Sequence, residues 1–196
     1  MSSPVVIAIC GLKRSGKDTV ADYIVENYCY KKISIAEPLK AACRVMFNLS
    51  DEQVNGNTKE EVDQRWGVSP RKIMQFVGTE LMQKGIEELL PGMNRRLWIN
   101  TTLSKIDEMR TPVVIPDLRF MHEYNAIKEH FGDAAYFIKV MNPMALGQYH
   151  DDMHPSETEW SMIPVDGVVI NSASIAELHR NIRVCMDGLF TISNQS

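Results

Sequence analysis

Cysteine is sparse in this chain of 196 residues. Cys10, Cys29, Cys43 and Cys185 are scattered, and no two form a C-x-x-C pair. That pattern argues against a disulfide framework and fits reduced thiols in a cytoplasmic setting. Long apolar runs are lacking too, so nothing approaches the length of a membrane span. The opening "MSSPVVIAIC" has neither the basic start nor the small-residue cleavage site of a secretory signal. Positive charge is not in excess. A net charge of −4 speaks against broad coating of a nucleic-acid polymer, yet leaves room for a small acidic ligand held by local charge. Between Lys139 and Arg180 there is no Lys or Arg at all. What remains is ordinary for a soluble globular protein, with 44% apolar and 23% charged residues. The length suits one compact domain, residues 1–196, with a sizeable core. The twelve methionines suit core filling and adaptable pocket walls.

Four short apolar runs predict buried parallel strands: "VVIAIC" from Val5, "PVVIP" from Pro112, "AAYFIKVM" from Ala134 and "GVVIN" from Gly167. A weaker one is "KKISIA" around Ile33. Helical spacing covers Lys17–Tyr28, Pro70–Leu90, Asn94–Met109, Met121–Phe131 and Ser174–Phe190. Strands alternating with helices imply an α/β fold around a parallel sheet. Residues 50–69 are polar and read as irregular or partly helical. Residues 142–164, with Pro143, Gly147, Pro155 and Pro164, read as a lid-like insertion. The tail from residue 191 to 196 is expected to fray.

The first strand runs into Gly11, four residues, Gly16 and Lys17, and then a helix. Strand, glycine-spaced loop and helix in that order make a phosphate-binding loop credible. Gly11 and Gly16 permit the tight turn, and backbone N–H groups with the helix's positive end face an anion. Ser15 lies inside the loop. Lys17 can reach outer phosphates, and Lys13 and Arg14 add charge. Asp18 stands where Ser or Thr is usual. Its carboxylate reads as a magnesium ligand, directly or through water, with the Thr19 hydroxyl next to it. The plainer alternative is an acid that complements the helix dipole.

A second cluster lies in "VSPRKIMQFVGTELMQKG". Arg71, Lys72, Gln75, Gly78 and Thr79 fall near helical spacing; two cations with an amide beyond them would suit a phosphate joined to a base. Composition alone favours a solvated amphipathic helix there. In "VVIPDLRFMHEYNAIKE", Asp117 and Arg119 follow a strand's carboxyl end, where open α/β sheets bind ligands. Glu123 is four residues beyond Arg119. An Asp there can hold Mg²⁺ or a sugar hydroxyl and an Arg can grip a phosphate, or the three form a structural ion-pair network. "HDDMH" sets His150 and His154 four apart with acids between them. Pro155 and loop-like surroundings favour a lid or pocket-edge role over a metal site, with Ser156 and Glu157 capping a lid helix.

The blocks "GLKRSGKDTVADYI", "SIAEPLK", "SPRKIMQFVGTE", "PDLRFMHEYNAI", "HPSE" and "DGVVINSASIAEL" occur in the order found in deoxynucleoside monophosphate kinases of phages and large viruses, and the chain resembles that family from Val5 to about Leu178. The resemblance implies a three-layer P-loop kinase fold with a central parallel sheet and a lid. It implies transfer of the ATP γ-phosphoryl group to a deoxynucleoside monophosphate, with Mg²⁺ as cofactor and a possible homodimer. It implies catalytic roles for Lys17, Asp117 and Arg119. It also implies an acceptor site from Lys40, Arg71, Lys72, Gln75, Gly78, Thr79, Trp98, Asp117, Arg119 and Glu123. The turn from Val168 to Ser174 is expected near the adenine.

Three departures stand out. "LMQKG" follows "GTE" where a Gly-Arg pair is usual. "VMNP" puts Asn142 in an arginine's place. The lid has no arginine to neutralise the transferring group. Two rivals stay open: another small-molecule kinase on the same scaffold, since animal-type phosphomevalonate kinases carry a similar G-K-D loop, and a nucleotide-gated switch or adaptor.

Overall fold

A computed structural model describes residues 5–146 and 159–193 of the chain. It divides into two compact units, Met1–Ser34 with Thr102–Ser196, and Ile35–Thr101.

The first unit is built on five parallel strands: β1 (Val6–Cys10), β2 (Lys31–Lys32), β3 (Val113–Ile115), β4 (Ala135–Met141) and β5 (Gly167–Ile170), in the spatial order β2-β3-β1-β4-β5. All five fall on the expected runs. β1 sits in the middle, with Val6 opposite Val113 on one side and Ala135 on the other. Every residue of β1 is fully buried, which explains its unbroken apolar run. Burying each such Val or Ile is worth about 1.5–3 kcal/mol.

Alternation along the strands separates two faces. Ile7, Ile9, Val114, Ile138 and Val169 pack with α1 (Lys17–Tyr28) through Val20 and Ile24, and with the last helix, Ile175–Ser193, through Leu178, Ile182 and Met186. That last helix runs beyond Phe190 into the stretch expected to fray, while 194–196 lie outside the described residues. On the other face the helix Met121–Phe131 sets Tyr124 against Phe137, ring centroids 4.4 Å apart.

The second unit is helical. α2 (Glu37–Phe47) was not among the expected helices; Pro38 in its first turn begins it, and Asn48 ends it in the left-handed region at φ 50°. α3 (Asp51–Val54) opens on a capping box between Ser50 and Gln53. The stretch expected as one helix from Pro70 to Leu90 is wound in three ways. α4 (Pro70–Gln75) is α-helical, Phe76–Lys84 follows a π-helical winding, and Gly85–Glu88 tightens to 3₁₀. Cys43, Leu49, Val54, Ile73 and Val77 form this unit's own core. Next comes α5 (Leu97–Met109), which starts in the second unit and ends in the first. The Met121–Phe131 helix is α6.

Of the lid-like stretch, α7 (Pro143–Leu146) and a 3₁₀ turn at Glu159–Met162 are described. His150, His154, Ser156 and Glu157 lie outside the described residues. The last helix is α8.

Candidate active site

The carboxyl ends of the five parallel strands lie at one end of the sheet. β1 leads into the loop from Gly11 to Lys17. Gly11 has φ 145°, Arg14 φ 64° and Gly16 φ 100°. Three left-handed turns in six residues curl the backbone into a nest whose N–H groups converge. Holding Arg14 there costs on the order of 1 kcal/mol, since only glycine adopts that region freely. A side chain at Gly11 would strike the carbonyl oxygen of Val140 in β4, so that position accepts nothing larger.

A loop that turns its N–H groups inward must turn its carbonyls outward, and buried carbonyls need donors. Lys17 Nζ donates to the carbonyls of Gly11 at 2.9 Å and Leu12 at 2.6 Å. Asn171, just after β5, donates its Nδ2 to the Ser15 carbonyl at 2.9 Å. The Ser15 side chain is fully buried with no hydrogen-bond partner for its hydroxyl. Lys13 and Arg14 are exposed at the loop's tip.

Asp18 and Thr19 are exposed on the first turn of α1. Asp18 Oδ1 pairs with Lys32 Nζ at 2.9 Å, and the same ammonium holds Asp22 at 2.9 Å. Burial works against the charge on Lys32, but the two carboxylates outweigh it and raise its pKa above the ordinary value.

After β3, the Leu118 N–H donates to the carbonyl of Ile9 at 3.2 Å, which lays the Asp117–Arg119 segment against the end of β1, beside the loop. Ser34, following β2, donates its hydroxyl to Asp117 Oδ2 at 2.6 Å. Arg119 is half-buried. Glu123 is buried in the first turn of α6, and its Oε2 accepts the N–H groups of Arg119 at 2.9 Å and Phe120 at 3.0 Å. Burial pushes the Glu123 carboxyl up to about 8, despite those two donors. This is a carboxyl that positions the Arg119 backbone.

In the second unit, α4 begins at Ser69, whose hydroxyl caps the Lys72 N–H. Arg71 Nε lies 3.5 Å from Glu60 Oε1. Arg71 and Gln75 are half-buried and Lys72 is exposed, whereas Gly78 and Thr79 are buried. The change to π winding after Gln75 rotates later residues away from the face that α-helical spacing predicts. Gly78 meets Leu39: a Cβ there would lie 2.7 Å from Leu39 Cδ2. The Trp98 indole donates to the Gly78 carbonyl at 3.1 Å and is largely buried, which makes it a support for that helix. Lys40 lies half-buried on α2. Upstream, Asp63 is held by Arg65 through Nε at 3.0 Å and Nη2 at 2.6 Å and by Gln53 at 2.7 Å; the arginine's hydrogen bonds keep its carboxyl well below the usual range. This clasp stands just ahead of the helix that carries Arg71 and Lys72.

The structure thus gathers the loop, Lys17, Asp117 and Arg119 at one end of the sheet, and shows Arg71, Lys72 and Gln75 along one short helix. Sequence reasoning missed Ser34, Lys32 and the Asp63 clasp. Ser34 bonds a residue 83 positions away, and no local pattern signals that.

Comparison with known proteins places the chain in a family. The family model for deoxynucleotide monophosphate kinase matches residues 5–63 and 51–182. A protein of Acanthamoeba polyphaga mimivirus, named provisionally as a deoxynucleotide monophosphate kinase, is 39% identical over 194 residues, covering 93% of this chain and 96% of its own. The deoxynucleotide monophosphate kinase of Enterobacteria phage T4 is 24% identical over 248 residues, covering 91% of this chain and 97% of its own. Among solved structures, a gluconokinase from Sinorhizobium meliloti superposes with a TM-score of 0.50 at 16% identity, over 99% of this chain and 96% of its own. The fold is that of P-loop kinases, and the chain belongs to the deoxynucleotide monophosphate kinase family.

Proposed function

We propose that residues 1–196 act as a single kinase domain that transfers the γ-phosphoryl group of ATP to a deoxynucleoside monophosphate, giving the diphosphate and ADP. The observation that carries this reading is the loop from Gly11 to Lys17, bent by three positive-φ residues and with the carbonyls of Gly11, Leu12 and Ser15 held by side-chain donors, beside Asp117 and Arg119 at the same end of the sheet. ATP phosphates lie over Gly11, Lys13, Arg14, Ser15, Gly16 and Lys17. In the first unit Arg119 is the cation for the acceptor phosphate; in the second unit Arg71 and Lys72 are the cations for an acidic substrate. Lys40, Gln75 and Thr79 recognise the rest of the nucleotide, Gly78 and Trp98 shape that helix, and Glu123 acts through Arg119.

An oxygen of the acceptor phosphate attacks the γ-phosphorus, and the bridging oxygen leaves with ADP. The attacking oxygen is already ionised and the leaving oxygen takes the bond's electron pair, so positioning and neutralisation of charge do most of the catalysis. Lys17 must exchange the Gly11 and Leu12 carbonyls for phosphate oxygens as the nucleotide binds.

Magnesium fits the donors present. Among the described residues no three His, Cys, Asp or Glu side chains gather into a cage. Mg²⁺ does not need one, because it keeps waters and uses one or two carboxylates with substrate phosphates. Asp117, fixed by Ser34, is the best placed hard oxygen, and Asp18 and Thr19 would complete the shell directly or through water. Bound there, Mg²⁺ would neutralise phosphate charge.

The test supplies purified protein with ATP and Mg²⁺ and each deoxy- and ribonucleoside monophosphate, phosphomevalonate, or no acceptor. ADP formed only with deoxynucleotides is the expected result. Equal ADP without acceptor would point to a hydrolase or switch, and turnover with phosphomevalonate alone to the rival kinase.

A further inference from the structure

We infer that Asn171 is a positioning residue for the nucleotide's phosphates, acting through the peptide bond between Ser15 and Gly16; this rests on the donor-site reading above. Its Nδ2 donates to the Ser15 carbonyl at 2.9 Å, although the two residues are 156 positions apart. The facing group must be the amide nitrogen, because a backbone carbonyl only accepts. Asn171 is itself anchored, since its backbone N–H donates to the Met141 carbonyl at 2.7 Å. The amide also packs under the loop: a Cβ added to Gly16 would lie 2.5 Å from Asn171 Nδ2.

The consequence is stereochemical. The described chain contains no cis peptide bond, and in a trans peptide the C=O and N–H point in opposite directions. Drawing the Ser15 carbonyl toward β5 therefore aims the Gly16 N–H away from β5, to the anion side of the nest. Nothing intrinsic to Gly16 would keep it so. At φ 100° it sits in a region that glycine leaves about as easily as it enters, and rotating this one peptide plane would present a carbonyl to the phosphates instead. Lys17 performs the same service for the Gly11 and Leu12 carbonyls, but its ammonium is needed by the nucleotide. Asn171 is uncharged and anchored, so it can hold the third carbonyl through the whole cycle. The turn from Val168 to Ser174 thereby acts on the phosphates, a role separate from any contact with the adenine.

The experiment titrates ATP and inorganic tripolyphosphate against the full chain and its Asn171→Ala, Asn171→Asp and Asn171→Leu variants, with thermal melts of each. The aspartate keeps the shape but replaces the donor with a carboxylate that also repels phosphates, so Asn171→Leu, uncharged and close in shape, carries the test should the alanine variant melt too low. The alanine and leucine variants are expected to bind both ligands about five- to tenfold more weakly, the size of one lost hydrogen bond, with the KM for the acceptor unchanged. Two results would overturn the inference: unchanged ATP affinity, or weakened ATP binding with tripolyphosphate unaffected, which marks an adenine contact. A wild-type protein that binds neither ligand would instead remove the donor site, and this inference with it.

Discussion

On the proposed reading, the groups that the first unit offers to an anion include loop N–H groups set by strand ends and by donors from distant parts of the chain, with Lys13, Arg14 and Lys17 beside them. In the second unit they are the side chains of Arg71 and Lys72, on a six-residue helix steadied by a Ser69 cap and a 3.5 Å contact to Glu60. The backbone of the first arrangement has little conformational entropy left to lose, because the Gly11, Leu12 and Ser15 carbonyls are bridged and the strand beneath is buried. The second has long side chains that lose rotamer freedom on binding. A kinase that must hold one constant triphosphate and admit variable acceptors benefits from that asymmetry.

The sharpest way to break the comparison is Lys17→Ala. The variant removes the cation tied to the Gly11 and Leu12 carbonyls, and kcat should fall by about a thousandfold, as for loss of a transition-state contact. Its melting temperature should stay within a few degrees, because β1 and the core beneath the loop are untouched. Near-normal turnover would show that the loop does not hold the reacting phosphates.

Arg119→Ala and Arg71→Ala compare the halves directly. Arg119 has its backbone pinned by Glu123, whereas Arg71 leans on the exposed Glu60. We expect kcat/KM for the acceptor to fall about a hundredfold for Arg119→Ala and about tenfold for Arg71→Ala, with the KM for ATP within about threefold of wild type. Equal losses would erase the distinction between a preorganised and an adaptable cation.

These contrasts also separate what a reader of the sequence could see from what could not be seen. Four strands were legible as short apolar runs such as "VVIAIC" or "GVVIN", whereas β2, two exposed lysines, was marked only weakly by the "KKISIA" stretch it begins. The loop was legible for a different reason: Gly11, Gly16 and Lys17 stand at fixed local offsets. α2 was missed even though Leu39, Cys43 and Phe47 recur at helical spacing in "EPLKAACRVMF" and pack on this unit's core; Pro38 at its start signals a helix only once it is placed in the first turn. The π winding of Phe76–Lys84 was invisible, since it depends on how Leu39 meets Gly78 and Trp98 meets the Gly78 carbonyl. Glu123 was noticed as Arg119's neighbour, but its burial and its service to two backbone N–H groups belong to the fold. Ser34 and Asn171 act across 83 and 156 residues, where sequence spacing says nothing.

Glu123 offers a smaller test, through pH. Its folded pKa of about 8 lies above its ordinary value of 4.5. Between those values the unfolded chain has released the proton while the folded chain keeps it, so this group makes stability fall as pH rises, by about 1.4 kcal/mol per pH unit at most. Glu123→Gln should flatten that slope between about pH 5 and pH 8 in urea titrations. A variant with the wild-type slope would place the buried proton elsewhere. Lost acceptor affinity at every pH would accompany the change if Arg119 is displaced with it.

The smallest effect is expected at Asp18, the carboxylate beside the loop lysine. Its pairing with Lys32 explains how a negative charge is tolerated next to a phosphate site: Lys32 sits between Asp18 and Asp22 and screens both. That pair is exposed, so Asp18→Asn should cost no more than about 0.5 kcal/mol of stability, with Asp22 still holding Lys32. If Asp18 also reaches the magnesium shell through water, the Mg²⁺ concentration for half-maximal activity should rise about twofold while kcat at saturating Mg²⁺ stays the same. Lys32→Met frees the carboxylate and should shift the same titration the opposite way. If both variants titrate like wild type, Asp18 serves only the Lys32 bridge and the start of α1, and the first unit's metal ligand is Asp117 with the nucleotide's own oxygens.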